Sequence, residues 1–190
     1  RVEPLDDIPG AMARPPSSVE LACGREEAKR MTPDLSKVSR DIKGESPKET
    51  VELQRLLEEA SGYLESFAWC GGIRDVYLGI GIGGVVGVFL FRIDPVGRDV
   101  DEWTWIIVGD LPPAYITLDD APNPACALDA YIGAMEKWVA AAKVGAPVSD
   151  LIPVNVPASF ENAQQLETRL RLLDTEVLAG YREDLKEQGA

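Results

Sequence analysis

The sequence contains no histidine. That absence removes Ser-His and Cys-His nucleophile pairs, imidazole acid–base catalysis and every metal site that needs an imidazole ligand. It also removes the side chain whose ordinary pKa makes a switch between about pH 5 and 8. Cysteine is nearly as scarce: Cys23, Cys70 and Cys126 form no CxxC pair and have no regular spacing. This argues against a zinc site and a disulfide framework, and fits a reducing, cytoplasmic setting. Positive charge is short as well, with 19 Lys+Arg against 32 Asp+Glu and a formal net charge of −13. Attraction to phosphate backbones or anionic lipid is unfavourable across such a molecule, so neither nucleic acid nor membrane is an expected partner. Long hydrophobic runs are missing too. The most apolar stretch, Val76 to Phe91, is shorter than the roughly 20 residues a spanning helix needs, and it is rich in glycine and β-branched residues. The N-terminal RVEPLDDIPG has no basic region followed by an apolar one, so no secretory signal is visible in it, and whether one was removed ahead of residue 1 stays open.

What is present is an ordinary globular composition, 45% hydrophobic and 27% charged over 190 residues, enough for one domain with a sizeable core. Residues 1–47 hold Pro4, Pro9, Pro15, Pro16, Pro33 and Pro47 with few large apolar residues, and read as an N-terminal arm. A short helix is expected near 33–43. Thr32 would cap it, Pro33 would take the first position, Gly44 would close it, and Leu35, Val38 and Ile42 would dock it on the domain or on a partner. A second arm helix is expected over Val19 to Met31. Residues 48–190 form a single α+β domain that carries the charge: residues 51–190 have ten basic residues against twenty-two acidic, residues 1–50 nine against ten.

Leu53, Leu56, Leu57, Ala60, Leu64 and Phe67 recur at helical spacing, which predicts an amphipathic helix ending near Trp69 and Cys70, where Gly71-Gly72 follow. Gly83-Gly84 between two β-rich runs predicts a two-residue hairpin turn. That turn sets Ile82 opposite Val85, Gly81 opposite Val86, Gly79 opposite Val88, Leu78 opposite Phe89, Tyr77 opposite Leu90 and Val76 opposite Phe91. Asp75 then meets Arg92 at the open end, an opposite-charge pair that the turn did not demand. A third strand over Glu102–Gly109 and a short fourth over Ala114–Leu118 complete an antiparallel meander. Asn123 caps a second core helix with the stripe Leu128, Ile132, Met135 and Val139, and Ser159 caps a last one from Phe160 to near Lys186. The expected fold is α+β, a three- to four-stranded meander packed against helices in the order α-β-β-β-(β)-α-α, with the helices on one face of the sheet.

Gly79-Ile-Gly-Ile-Gly-Gly84 has the look of a phosphate loop, but a strand follows it where a helix N-terminus is required. The expected role of its glycines is a tight turn and close approach by another element, or an apolar groove for a small ligand. Acidic residues gather in three loops: Asp94, Asp99, Asp101 and Glu102 in one, Asp110 after the third strand, and Asp119-Asp120 before the second core helix. Their spacing matches no calcium loop, and they point to contact with a basic partner. Trp69, Trp103, Trp105 and Trp138 lie on elements with their own apolar periodicity and are expected to pack, while an exposed Trp103 or Trp105 beside the acids would anchor an interface. The candidate partner-binding set is thus Asp99, Asp101, Glu102, Asp110, Asp119, Asp120 and Trp103. No cofactor or metal motif is present.

The string Trp105-Ile-Ile-Val-Gly-Asp-Leu-Pro-Pro-Ala-Tyr115, with Asp119-Asp120-Ala-Pro, Ala127-Leu-Asp-Ala-Tyr131 and Met135-Glu-Lys-Trp138, resembles a small bacterial family of uncharacterised proteins. The likeness runs from about Val51 to Tyr181; it implies a bacterial origin and one compact domain, and carries no functional residue. The function expected from the residues is a non-enzymatic acidic protein-binding module, either immunity-type, neutralising a basic toxin, or a chaperone for a secreted protein. The alternatives are a small-molecule or metal binder or enzyme using the acidic loops, and a structural subunit attached through its arm.

Overall fold

The computed structural model describes residues 32–97 and 100–186. The expected helix over Val19–Met31 and the candidate residue Asp99 lie outside the described residues.

The first core helix, α1 (Pro47–Glu65), starts where Ser46 accepts a hydrogen bond from the Glu49 N–H and Pro47 takes the first position. Glu49 reaches back to the Glu45 N–H at 2.8 Å, so two N-terminal donors are satisfied by local side chains. It buries Leu53, Leu56, Ala60 and Leu64, as the periodicity predicts. The helix ends sooner than expected, because Gly71 and Gly72 belong to the strand that follows. A side chain at Gly71 would press on the Asp94 carbonyl at 2.9 Å, so these glycines serve strand pairing rather than helix closure.

Four strands, β1 (Cys70–Ile82), β2 (Val86–Pro95), β3 (Trp103–Gly109) and β4 (Leu111–Thr117), form an antiparallel meander in chain order. At the open end of the first hairpin the expected pairs are present: Leu78 with Phe89, Tyr77 with Leu90, Val76 with Phe91 and Asp75 with Arg92. Near the turn the register differs by one residue. Ile82 pairs with Val86, Gly81 with Gly87 and Ile80 with Val88, leaving Gly79 unpaired as a bulge. The loop is therefore Gly83-Gly84-Val85, closed by Val85 N–H donating to Ile82 O at 3.0 Å, with Gly84 at φ 73°. Val85 is drawn out of the ladder because its carbonyl accepts from Asp110 N–H at 3.0 Å across the β3–β4 turn. Gly109 makes room for this, since a Cβ there would lie 2.1 Å from the Val85 oxygen.

The bulge sets which way β1 faces. Tyr77, Ile80 and Ile82 join one core, while Val76 and Leu78 join the other. Gly79 sits under α2 (Pro124–Lys143), where a Cβ would lie 2.5 Å from Pro124 Cβ, and Gly81 sits under α1, where one would lie 2.8 Å from Leu53 Cδ2. The expectation of close approach at these glycines holds, with a helix on each side.

Helices cover both faces of the sheet, not one. Val86, Val88, Leu90, Trp105, Ile107, Ala114 and Ile116 pack with α2, whereas Phe89, Phe91, Ile93, Ile106 and Val108 pack with α1. The uninterrupted burial of Val86–Phe91 follows from this, because a strand covered on both faces has no side left for polar residues. Asn123 caps α2 by accepting from Cys126 N–H, and Trp105 Nε1 donates to Ala121 O at 2.8 Å, fixing the loop that leads into it. α3 (Phe160–Leu172), capped by Ser159, packs on α2 through Ala163, Leu166 and Leu170. The expected single last helix is a continuous rod with changed winding: a π-helical turn, Leu173–Val177, and a 3-10 turn, Leu178–Tyr181, lead into α4 (Arg182–Lys186). Among the described residues no helix is long and apolar enough to cross a membrane.

The expected helix near 33–43 is absent. Only a 3-10 turn, Leu35–Lys37, forms, with Asp34 rather than Thr32 as its cap. Beyond it Ser39 bridges to Leu78 on the outer edge of β1, and a strand edge with free N–H and C=O groups offers more than an isolated helical turn can. Of the apolar trio, Ile42 is buried against the α1 core and Val38 packs on the other core, while Leu35 stays exposed.

Two glycines give opposite expectations. Gly79→Ala forces a shift against Pro124 and is expected to lower unfolding free energy by about 1–3 kcal/mol. Gly133→Ala, within α2 and with nothing within 4 Å of the added carbon, is expected to raise it by about 0.5–1 kcal/mol. Urea denaturation of the two variants side by side checks both signs.

Candidate functional site

The β2–β3 and β4–α2 loops emerge at the same end of the sheet, since Thr104 pairs with Thr117. This brings Asp101, Glu102 and Trp103 to one rim with Asp119 and Asp120. Asp101, Asp119 and Asp120 are exposed; Asp120 accepts from Thr117 Oγ1 at 2.7 Å, and Asp119 makes no ion pair among the described residues. Asp110 does not join them. It lies at the opposite end of the sheet, in the turn beside Val85, and pairs with Arg169 of α3 at 3.1 Å.

Glu102 is less available than its position in an acidic loop suggests. Arg92 donates to its Oε1 from both Nε and Nη2 at 2.8 Å, and Arg74 stands 3.6 Å away. Arg74 also pairs with Asp94, and Arg92 reaches Asp75 at 3.7 Å. With Arg40, which donates to Asp75 Oδ1 at 2.9 Å and to the Tyr77 hydroxyl at 2.6 Å, three guanidinium groups balance three carboxylates. Trp103 is set into this network, half-buried, with the Arg92 guanidinium 5.6 Å from its ring and Tyr77 at 6.1 Å. Trp105 is buried, so of the two tryptophans only Trp103 stands beside the acids where an incoming surface could reach it. The Asp75–Arg92 register pair was the one sequence signal for this network. Arg40 and Arg74 gave none, because their partners depend on the arm's path and on which side of β1 each residue faces.

A second cluster was not legible in the sequence. Tyr63, Phe67, Trp69 and Tyr115 gather beside the end of α1, with Phe67 stacked on Trp69 at 5.0 Å and Tyr115 edge-on to both. Trp69 Nε1 is buried with no hydrogen-bond acceptor among the described residues, and the Tyr115 ring stands edge-on to the indole at 5.4 Å. Burial pushes the Tyr63 phenol up to about 12, with Tyr115 adding to the effect, and pushes Tyr115 up as well.

The chemistry on offer is narrow. Among the described residues no group of three or more Cys, Asp or Glu side chains is placed to hold a metal ion. Cys70 and Cys126 are free thiols, and burial pushes both up, so even the α2 N-terminus does not make Cys126 a ready thiolate. The glycine run lies in a hairpin and offers no helix N-terminus to an anion. No family model, curated protein or solved structure matches the chain.

Tyr63 supplies a measurable consequence. A phenol whose folded pKa lies above its unfolded value stabilises the fold fully below the unfolded pKa, about 10, and loses that contribution as pH rises toward about 12. Stability is therefore expected to fall between those values. Tyr63→Phe should flatten that fall in denaturation midpoints measured across the window, and ultraviolet titration should lose a phenol that ionises at about 12, while the more deeply buried Tyr131 still ionises last.

Proposed function

We propose that the chain is a non-enzymatic protein-binding module that engages a basic protein surface through the rim formed by Asp101, Asp119 and Asp120 around Trp103. The observation that carries this reading is the arrival of two acidic loops at one end of the sheet, with exposed carboxylates flanking a half-buried tryptophan. Carboxylates at a rim steer a basic partner and set its orientation, and an aromatic beside them supplies the desolvated contact that holds it. The net charge of −13 reinforces the steering at long range. In the immunity-type form of this reading, the partner is a basic toxin or nuclease whose positive substrate-binding surface the rim covers. A cytoplasmic setting belongs to the proposal and rests on the free thiols of Cys70 and Cys126 among the described residues.

Affinity capture from the native host at low salt, followed by binding measurements on the recovered protein, tests it. A basic partner at stoichiometric yield is expected, with affinity falling steeply as salt rises. Asp119→Asn with Asp120→Asn should weaken it about tenfold, and Trp103→Ala by about 30-fold, with circular dichroism unchanged. Recovery of no stoichiometric protein, or of one indifferent to salt and to both variants, contradicts the reading.

A further inference from the structure

A short segment of the chain lies along the free edge of β1. Ser39 exchanges two backbone hydrogen bonds with Leu78, each 2.8 Å, and is the only residue of the segment to pair there among the described residues. Arg40 holds the segment down from the solvent side through Asp75 and Tyr77, its guanidinium 4.9 Å from the Tyr77 ring centre. Ile42 tucks under the other face, where Gln54 Nε2 donates to its carbonyl at 3.0 Å.

The edge beneath this strap is the kind that natural proteins cover. β1 is 13 residues long, and Val76 to Ile82 carries no charge that would discourage pairing with another strand. The opposite edge of the sheet needs no guard of this sort, because Pro112 and Pro113 in β4 have no N–H to offer. The strap is fastened by two backbone hydrogen bonds, by Val38 and Ile42 packed on opposite cores, by Gln54 on the Ile42 carbonyl and by an arginine whose side chain is 68% exposed, against the full ladder that holds a central strand. Segments held this way open far more often than the core strands do.

We propose that residues 38–42 are a displaceable edge guard, and that their release lets β1 pair with β1 of a second copy of this chain. Such pairing about a two-fold axis is self-complementary, since the same uncharged edge serves both copies and two sheets become one.

Hydrogen exchange and sedimentation of the full chain test this. The Leu78 amide is expected to exchange faster than that of Leu90 in the buried strand β2. Arg40→Ala should speed exchange at Leu78 about two- to fivefold and leave Leu90 unchanged. Ser39→Pro removes the strap's N–H donor and is expected to yield a species of twice the wild-type mass in which the Leu78 amide is protected again. Three results would overturn the proposal: Leu78 as slow as Leu90 in both proteins, a folded Ser39→Pro chain of unchanged mass, or doubled mass with Leu78 still exchanging freely. Should Ser39→Pro fail to fold by circular dichroism, the Arg40→Ala comparison decides alone, and an unaltered Leu78 rate counts against the guard.

Discussion

The contact between Gly79 and Pro124 is the constraint on which the arrangement turns. Gly79 is the unpaired residue of β1, and its missing side chain is what lets the first turn of α2 come down on the sheet. Because the bulge inserts one residue, Tyr77, Ile80 and Ile82 face α2 in sequence while Leu78 and Gly81 face α1. Without it, the strand would turn apolar residues to the wrong side on one half of its length. The Asn123 cap, the Trp105 hydrogen bond to Ala121 and the seating of α2 on the sheet all sit within a few residues of this contact.

Two-sided burial follows from the same geometry. An antiparallel sheet often leaves one face to water, but here β2 and the middle of β3 are covered on both faces, and their sequences are correspondingly short of polar residues. The periodicity of α1 and α2 identifies each as amphipathic, yet an apolar stripe does not say which face of a sheet it will meet. The uncharged run from Val76 to Phe91 was the available clue to a doubly covered strand. The hairpin's open end was legible because Asp75 and Arg92 fall opposite one another. Its turn was not, because Val85 leaves the ladder for a partner, Asp110, that is distant in sequence. The arm shows the same limit: Thr32-Pro33 is a sound local helix start, and the edge of β1 outbid it.

The acidic residues were all visible in the sequence, and what the sequence hid was their neutralisation. Asp75, Asp94 and Glu102 are answered by Arg40, Arg74 and Arg92, and Asp110 by Arg169. Exposed at the rim are Asp101, Asp119 and Asp120, with Trp103 between the Arg92 guanidinium and the Tyr77 ring. Fold and candidate surface are thereby joined, since the bulge orients Tyr77, Tyr77 anchors Arg40 and flanks Trp103, and Arg40 fastens the strap across the sheet edge.

The register change at Gly79 is the point at which this account is most exposed. Cross-strand proton contacts in an isotope-labelled sample read it directly. The expected pattern joins Ile80 to Val88 and Ile82 to Val86 near the turn, and Leu78 to Phe89 and Val76 to Phe91 toward the open end. A single unbroken register, with Gly79 facing Val88 and Ile82 facing Val85, would contradict it.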